Sequence, residues 1–389
     1  MLINLWYVAE WSETVTDKPV RVKILGRNLV LFRDTQGSVH CLADTCIHRG
    51  GSLSKGWTKG DCVVCPYHGW RYGADGKCTF VPSEGKDYKI SPRARVDSYP
   101  TEERYGMIWV FLGDLDEKER YPIPPFPEYD HPDWKAITST FDWKAEAARV
   151  VENGIDIAHA AFVHPMFGIP DEAEKSEILH MEKHEWWATS DNVTIAPQLK
   201  GDGGLRRFIR RDRSDTITHP TWYLPGMTVR MHIEVTPKMH IIMFDANTPV
   251  DENNTRTFAI QLRNFFKQKM FDKNSAKRLL KVLEEDAAIV EESRPYYLPE
   301  TLMNEVSVRS DKFMASFRQA RLKHIEEKGW AIDLKAIEEA GDKMVFTIPS
   351  PVRKDAEAAG LKWALPRIPL IAPSKDASPV QAVPDTETG

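Results

Sequence analysis

The sequence predicts an α+β protein of two unlike domains, and three observations lead there. Through about residue 115, short runs rich in β-branched and aromatic residues alternate with Gly, Asp and Asn turns. A proline-rich stretch follows. Beyond it lie longer segments with few breakers and helical spacing. The early runs Val20–Ile24, Leu29–Phe32, Cys62–Val64 and Met107–Phe111 read as strands of a small antiparallel β domain. Tyr121-Pro122-Ile123-Pro124-Pro125-Phe126-Pro127, continuing through Pro132, allows neither a persistent helix nor a central strand, so the domain boundary is placed there. The 389 residues suit two domains of unequal size. The expected division is residues 1–120, a linker at 121–133, a larger domain at 134–346 and a C-terminal extension at 347–389. The last part of that extension, Pro373 to Gly389, is rich in Pro, Ser, Thr and Asp and is expected to be disordered.

Composition narrows the class. Net charge is only −5 and the signs are interspersed, so neither nucleic acid nor an anionic membrane is indicated as a partner. No apolar run approaches the length of a membrane span. Met1-Leu2-Ile3-Asn4-Leu5-Trp6 shows no basic leader or apolar signal core, which leads to the expectation of a cytoplasmic protein. Of the five cysteines, Cys41, Cys62 and Cys78 are read as free buried thiols.

The other two cysteines belong to Cys46-Ile47-His48-Arg49 and Cys65-Pro66-Tyr67-His68. Two Cys and two His fit one metal centre. Zinc accepts that set too, but zinc fingers group Cys with Cys and His with His. Here each arm carries one of each, so each arm can give one ligand to each iron of a Rieske [2Fe–2S] cluster, with two thiolates on one iron and two imidazoles on the other. Arg49-Gly50-Gly51 on one arm, with Pro66 and Gly69 on the other, supply turn-rich loops to fold over such a cluster.

In the second domain, Ala145 to His159 reads as a helix with Asn153, Asp156 and His159 recurring every third residue on one face. His164 lies about 140° further round an ideal helix, so it converges with His159 only if the winding is interrupted; Pro165 predicts a break. A redox cluster needs somewhere to send its electron, and two His plus one carboxylate is the facial triad of non-haem Fe(II). Glu284, Glu285, Asp286, Glu291 and Glu292 compete for the carboxylate in a helix expected from about Ser275 to Arg294. Asp286 is favoured, because Val282, Leu283, Ile289 and Val290 surround it on an apolar stripe, and a charge on a buried stripe is paired or binds metal.

The Rieske pattern and Asn153-x-x-Asp156-x-x-His159-x4-His164 together resemble the oxygenase components of the Rieske non-haem iron oxygenases. Weaker support comes from Thr248-Pro249-Val250-Asp251 and Asp286-x-x-x-Val290-Glu291. The likeness runs to about residue 320, and the spacing is most similar to the dicamba monooxygenase and vanillate demethylase type. The resemblance implies a helix-grip catalytic domain, a curved antiparallel sheet covered by helices, with which the strand-like runs Met227 to Val235, His240 to Ala246 and Thr255 to Leu262 are compatible. It implies a [2Fe–2S] cluster on Cys46, His48, Cys65 and His68, and a mononuclear iron on His159, His164 and Asp286. Asp156, with Asn153 beside it, is implied as a catalytic residue bridging His159 to His68 of a neighbouring subunit in a head-to-tail homotrimer. The chain has no dinucleotide fingerprint, so electrons are expected from a partner ferredoxin or an NAD(P)H-fed reductase.

The substrate is less legible. Pro170 to about Trp222 is expected to supply pocket-lining lids, mixing Trp186, Trp187 and Phe208 with Arg206, Arg207, Arg210, Arg211 and Arg213. The arginines are read as a solvated face or a docking surface for an acidic ferredoxin ahead of a carboxylate site. His219, His232 and His240 are read as hydrogen-bonded histidines, not ligands. The expected reaction is insertion of oxygen from O₂ into a small aromatic substrate by monooxygenation, giving O- or N-dealkylation or hydroxylation. Ring cis-dihydroxylation stays open as an alternative, and so does a Rieske electron-transfer protein without catalysis.

Overall fold

The computed structural model describes residues 1–165, 177–195, 215–299 and 305–374. The expected tail beyond residue 374 and Arg206 to Arg213 lie outside the described residues. The chain divides into two compact units. The first comprises residues 1–123, 248–252 and 324–375; the second holds most of the remainder.

The first unit contains three small antiparallel sheets. Strands β1 (Leu5–Trp11), β2 (Val20–Ile24), β3 (Arg27–Arg33) and β4 (Val39–Ala43) precede the first metal-binding arm. Next come β5 (Trp57–Lys59), β6 (Cys62–Val64), β7 (Arg71–Gly73), β8 (Cys78–Phe80), β9 (Ser98–Tyr99), β10 (Thr101–Arg104) and β11 (Met107–Leu112). Their orders are β1-β11-β10, β2-β3-β4-β9 and β5-β6-β7-β8. β11, Met-Ile-Trp-Val-Phe-Leu, is buried at every position, as expected of a central strand covered on both faces. The Thr248 to Asp251 corner belongs to this unit, with Thr248 Oγ1 donating to the Val8 carbonyl at 2.7 Å and Lys23 Nζ 2.7 Å from Asp251.

The C-terminal extension completes the same unit. Asp97 is fully buried and accepts from Thr347 Oγ1 at 2.7 Å, Ser350 Oγ at 2.9 Å and Trp363 Nε1 at 3.2 Å. Arg353 adds its guanidinium 3.6 Å from the carboxylate. A buried carboxylate with this many donors is satisfied rather than stranded.

The second unit is built on a seven-stranded antiparallel sheet in the order β12-β18-β17-β16-β15-β14-β13. The strands are β12 (Lys135–Trp143), β13 (Glu177–Lys183), β14 (Trp187–Ile195), β15 (Asp215–Tyr223), β16 (Thr228–Thr236), β17 (Met239–Pro249) and β18 (Thr255–Arg263). The described parts of the Pro170 to Trp222 segment, residues 177–195 and 215–222, are strands of the sheet with the turn that joins β13 to β14, a correction to the expectation of lids there; the rest of the segment, with Phe208, lies outside the described residues. Trp186 and Trp187 form an aromatic group with Tyr223, whose ring centroid lies 6.0 and 6.3 Å from theirs.

Helices α1 (Ala147–Ile155), α2 (Ala160–Val163), α3 (Asp272–Val290) and α4 (Lys312–Glu326) accompany the sheet. Val150 of α1 and Leu283, Ala287 and Val290 of α3 share a core cluster with Trp143 of β12. Among the described residues, no helix is long and apolar enough to cross a membrane.

Two expectations about helices are corrected. The first helix stops at Ile155, with Asp156 extended at φ −77° and ψ 123°. Gly154 weakens the last turn, and Asp156 Oδ1 accepts from the Ala158 N–H at 2.8 Å, a local bond that competes with continued winding. The second helix runs from Asp272 to Val290 and ends before Arg294-Pro295, where proline disfavours helix in the residue ahead of it. Within it Ile289 points out, 54% exposed, so the stripe that buries Asp286 consists of Leu279, Leu283, Ala287 and Val290.

Candidate metal centres

The cluster arms lie between β4 and β5 and between β6 and β7, and both are closed by the same turn. Gly50 N–H donates to the Cys46 carbonyl and Gly69 N–H to the Cys65 carbonyl, each at 2.9 Å. Both glycines have positive φ, 69° and 71°, which an L side chain would strain. The arms also meet each other closely. A Cβ on Gly51 would stand 3.0 Å from Cys65 Sγ, so only glycine fits there without a shift.

Cys46 and Cys65 are buried free thiols, and the His48 and His68 rings are 4.5 Å apart, edge to face. His48 stacks on Trp70 at 4.6 Å and 7°, which fixes its plane. Its Nδ1 is buried without a hydrogen-bond partner, an orphaned donor or acceptor that a metal ion would satisfy. Burial pushes the Cys46 thiol up to about 11, with the Tyr72 hydroxyl 3.1 Å from its sulfur working the other way. Such a thiol needs a metal's charge to ionise near neutrality. The donor set therefore fits a two-iron cluster, and the Tyr72 contact is of the kind that tunes its potential.

The second site is assembled by the break after α1. With Asp156 extended and His159 returned to helical geometry, His159 and His164 meet at ring centroids 5.3 Å apart. His159 Nε2 and His164 Nε2 are 3.3 Å apart, and Asp286 Oδ1 lies 3.3 and 3.2 Å from them. Three ligands at right angles about 2.1 Å from one ion would be about 3 Å apart. The triangle thus matches one face of an octahedral site, and the donor types match non-haem iron. Burial raises the Asp286 carboxyl, but hydrogen bonds and charge from His159 and His164 outweigh it and hold it below the usual carboxylate range. Burial lowers His159, whereas Asp156 and Asp286 lift it to about 9.

Two of the other expected residues also touch this triangle. Asn153 Nδ2 donates to Asp286 Oδ1 at 3.3 Å, and Asp156 Oδ2 lies 3.5 Å from His159 Nδ1. Two carboxylates escaped the sequence reading as neighbours of the site. Glu285 Oε2 lies 3.0 Å from His164 Nδ1. Asp245 of β17 has a buried Oδ1 without a partner, and burial, with the Asp286 charge, pushes it up to about 7. The signal for Glu285 was its position next to the favoured ligand; Asp245 is an acid in an apolar strand.

His219, His232 and His240 stay out of the site. His219 Nδ1 is 2.6 Å from Asp191 and its Nε2 3.2 Å from Glu234, while His232 Nε2 is 3.0 Å from His240 Nδ1. They form two hydrogen-bonded sets side by side on β14 to β17, with the His219 and His232 rings 5.3 Å apart.

Known proteins place these sites in context. Residues 5–100 match the Rieske [2Fe-2S] domain, and residues 143–327 match the vanillate O-demethylase oxygenase C-terminal domain. A 4beta-methylsterol monooxygenase of Methylococcus capsulatus is 31% identical over 57% of this chain and 58% of its own length. The chain thus spans little more than half of that relative. The methylxanthine N3-demethylase NdmB of Pseudomonas putida is 30% identical over 77% of this chain and 81% of its own. The solved structure of Pseudomonas putida NdmA with caffeine superposes with a TM-score of 0.69 at 26% identity, covering 81% of this chain and 89% of that one. Dicamba monooxygenase shares the fold at a TM-score of 0.66 and 22% identity, covering 84% and 98%. Both domain matches lie over their respective donor sets, and the demethylase match runs through most of each chain, so this protein belongs to the Rieske non-haem iron oxygenases, as an oxygenase component.

Proposed function

We propose that this protein is a monooxygenase component that removes an O- or N-alkyl group from, or hydroxylates, a small aromatic compound, with electrons from a ferredoxin or an NAD(P)H-fed reductase. The observation that carries the reading is the convergence of His159 Nε2, His164 Nε2 and Asp286 Oδ1 to within 3.3 Å. An electron carrier without catalysis has no use for it. Names of the relatives favour oxygen insertion with loss of a methyl group, as in the methylxanthine demethylases and the vanillate O-demethylase oxygenase subunit.

The proposed division of labour follows from donor chemistry. Cys46, Cys65, His48 and His68 would hold the cluster, and His159, His164 and Asp286 the iron. The cluster supplies electrons one at a time, and the iron supplies open positions for dioxygen. Asn153 steadies Asp286 through its amide. Asp156, 3.5 Å from His159 Nδ1, would reach the His68 of a neighbouring subunit in a head-to-tail homotrimer.

A single turnover of the chemically reduced protein under ¹⁸O₂ tests this, using methoxyarenes, N-alkyl anilides, aromatic carboxylates and bare polycyclic arenes, with products read by mass spectrometry. One labelled oxygen with loss of an alkyl group, or in a hydroxylated product, is expected. A cis-diol carrying two labelled oxygens would replace this reading with ring dihydroxylation. Iron equal to acid-labile sulfide, with no product, would leave only electron transfer.

A further inference from the structure

The iron-facing edge of His164 is accounted for by His159 and Asp286, but its other edge meets a carboxylate of its own. His164 is 2% exposed, and its Nδ1 lies 3.0 Å from Glu285 Oε2. Glu285 and Asp286 are consecutive on α3, so their side chains diverge by about 100° around the helix. That divergence lets one helix grip both sides of a single imidazole: Asp286 approaches Nε2 and Glu285 approaches Nδ1. Lys281, one turn earlier, stands 3.5 Å from the other Glu285 oxygen and is itself 63% exposed at the side chain. His159 is treated in parallel by Asp156, at the longer distance of 3.5 Å.

From this geometry, and resting on the mononuclear-iron reading above, we infer that Glu285 is a positioning residue that fixes the His164 tautomer and raises the basicity of its Nε2 toward the metal. A carboxylate on the far nitrogen holds the proton at Nδ1, which leaves the Nε2 lone pair free and directed to the ion. The same contact limits rotation of the ring, so Nε2 stays 3.2 Å from Asp286 Oδ1. Glu285 therefore works through His164 and needs no contact with substrate or dioxygen. The helix does two jobs with adjacent residues, which explains why a second acid sits half-buried beside the ligand when the exposed Glu284 would serve solubility equally well.

The test compares full-length Glu285→Gln, Glu285→Ala, Glu284→Gln and Asp286→Ala proteins that retain the cluster absorbance. Fe(II) affinity is measured by competition with a chelator, and the mononuclear site is filled with Co(II) to read its visible ligand-field bands. Glu285→Ala is expected to weaken Fe(II) binding by about 10- to 100-fold. Glu285→Gln keeps the shape but not the charge, and is expected to fall between it and the parent and to shift the Co(II) bands. Glu284→Gln is expected to leave both measurements unchanged. Parent-like Fe(II) affinity and Co(II) bands in both Glu285 variants, with metal lost from Asp286→Ala, would overturn this inference alone. Full metal retention in Asp286→Ala would overturn the mononuclear-iron reading on which it rests.

Discussion

At His159 the two imidazole nitrogens face different carboxylates, Asp286 at Nε2 and Asp156 at Nδ1. Asp156 is outside the ligand triangle, so replacing it should spare metal binding while disturbing what passes through His159. Asp156→Asn is expected to keep full iron and sulfide content and to lower product formation by about 100-fold; wild-type turnover in that variant would remove Asp156 from the electron path. At this scale the convergence of His159, His164 and Asp286 into one candidate site is legible in the sequence, because such residue types are rare and helical spacing puts several of them on one face. His159 and Asn153 follow from their three-residue recurrence, and Asp286 from its apolar neighbours, although Ile289 faces solvent. Glu285 cannot be found that way. Its own helical face carries Lys281, which reads as an ordinary solvent-exposed pair, and the partner that matters comes from a segment far away in sequence.

Among elements, the tie between α1 and α4 is a buried ion pair. Arg318 donates to both oxygens of Glu152 at 2.6 and 2.8 Å, with each residue 8% exposed. Removing that cation leaves the buried Glu152 carboxylate to the more distant Arg149 Nη1 at 3.8 Å and takes from Glu305 a partner at 2.7 Å, so Arg318→Met is expected to destabilise the protein by about 3 kcal/mol in chemical denaturation. Pairing it with Glu152→Met should return part of that loss, since Glu305 still loses its 2.7 Å partner, and an unshifted unfolding midpoint in the single variant would show that Arg149 or water already satisfies Glu152. The histidines of the sheet make a pH prediction. Burial, then the charges of Arg230, His219 and His240, lower His232 to about 4, with Glu234 opposing. The unfolded chain takes up that proton near 6.5, so between about pH 6.5 and 4 it binds more protons than the native state. Stability is therefore full above 6.5 and falls as the pH drops toward 4. His232→Gln is expected to flatten that part of the stability profile, measured by denaturant titrations at several pH values. Strands such as β2 and β6 match their sequence signals residue for residue because hydrophobic runs between turns are local. The break at Asp156 is not legible, since it depends on a side-chain bond to the Ala158 backbone that competes with a plausible helix.

Across the whole molecule, the extension beyond residue 347 has no assignable purpose in the sequence, because its partners lie some 250 residues earlier. The structure supplies one: Thr347, Ser350, Arg353 and Trp363 surround the buried Asp97, next to the β4 and β9 strands of the first unit. Deleting residues 347–389 is expected to leave that carboxylate without these donors and to reduce cluster content, measured as acid-labile sulfide per chain; a fully loaded truncated protein would count against this. The order of the seven sheet strands is likewise hidden, since pairing between distant segments leaves no local trace. That first unit also draws on the end of the chain, which has a consequence for synthesis. A ribosome has made Cys46 and His68 long before it reaches Trp363. The two cysteine–histidine arms therefore emerge before the segment that surrounds Asp97, and the first unit is finished only once translation has passed Trp363.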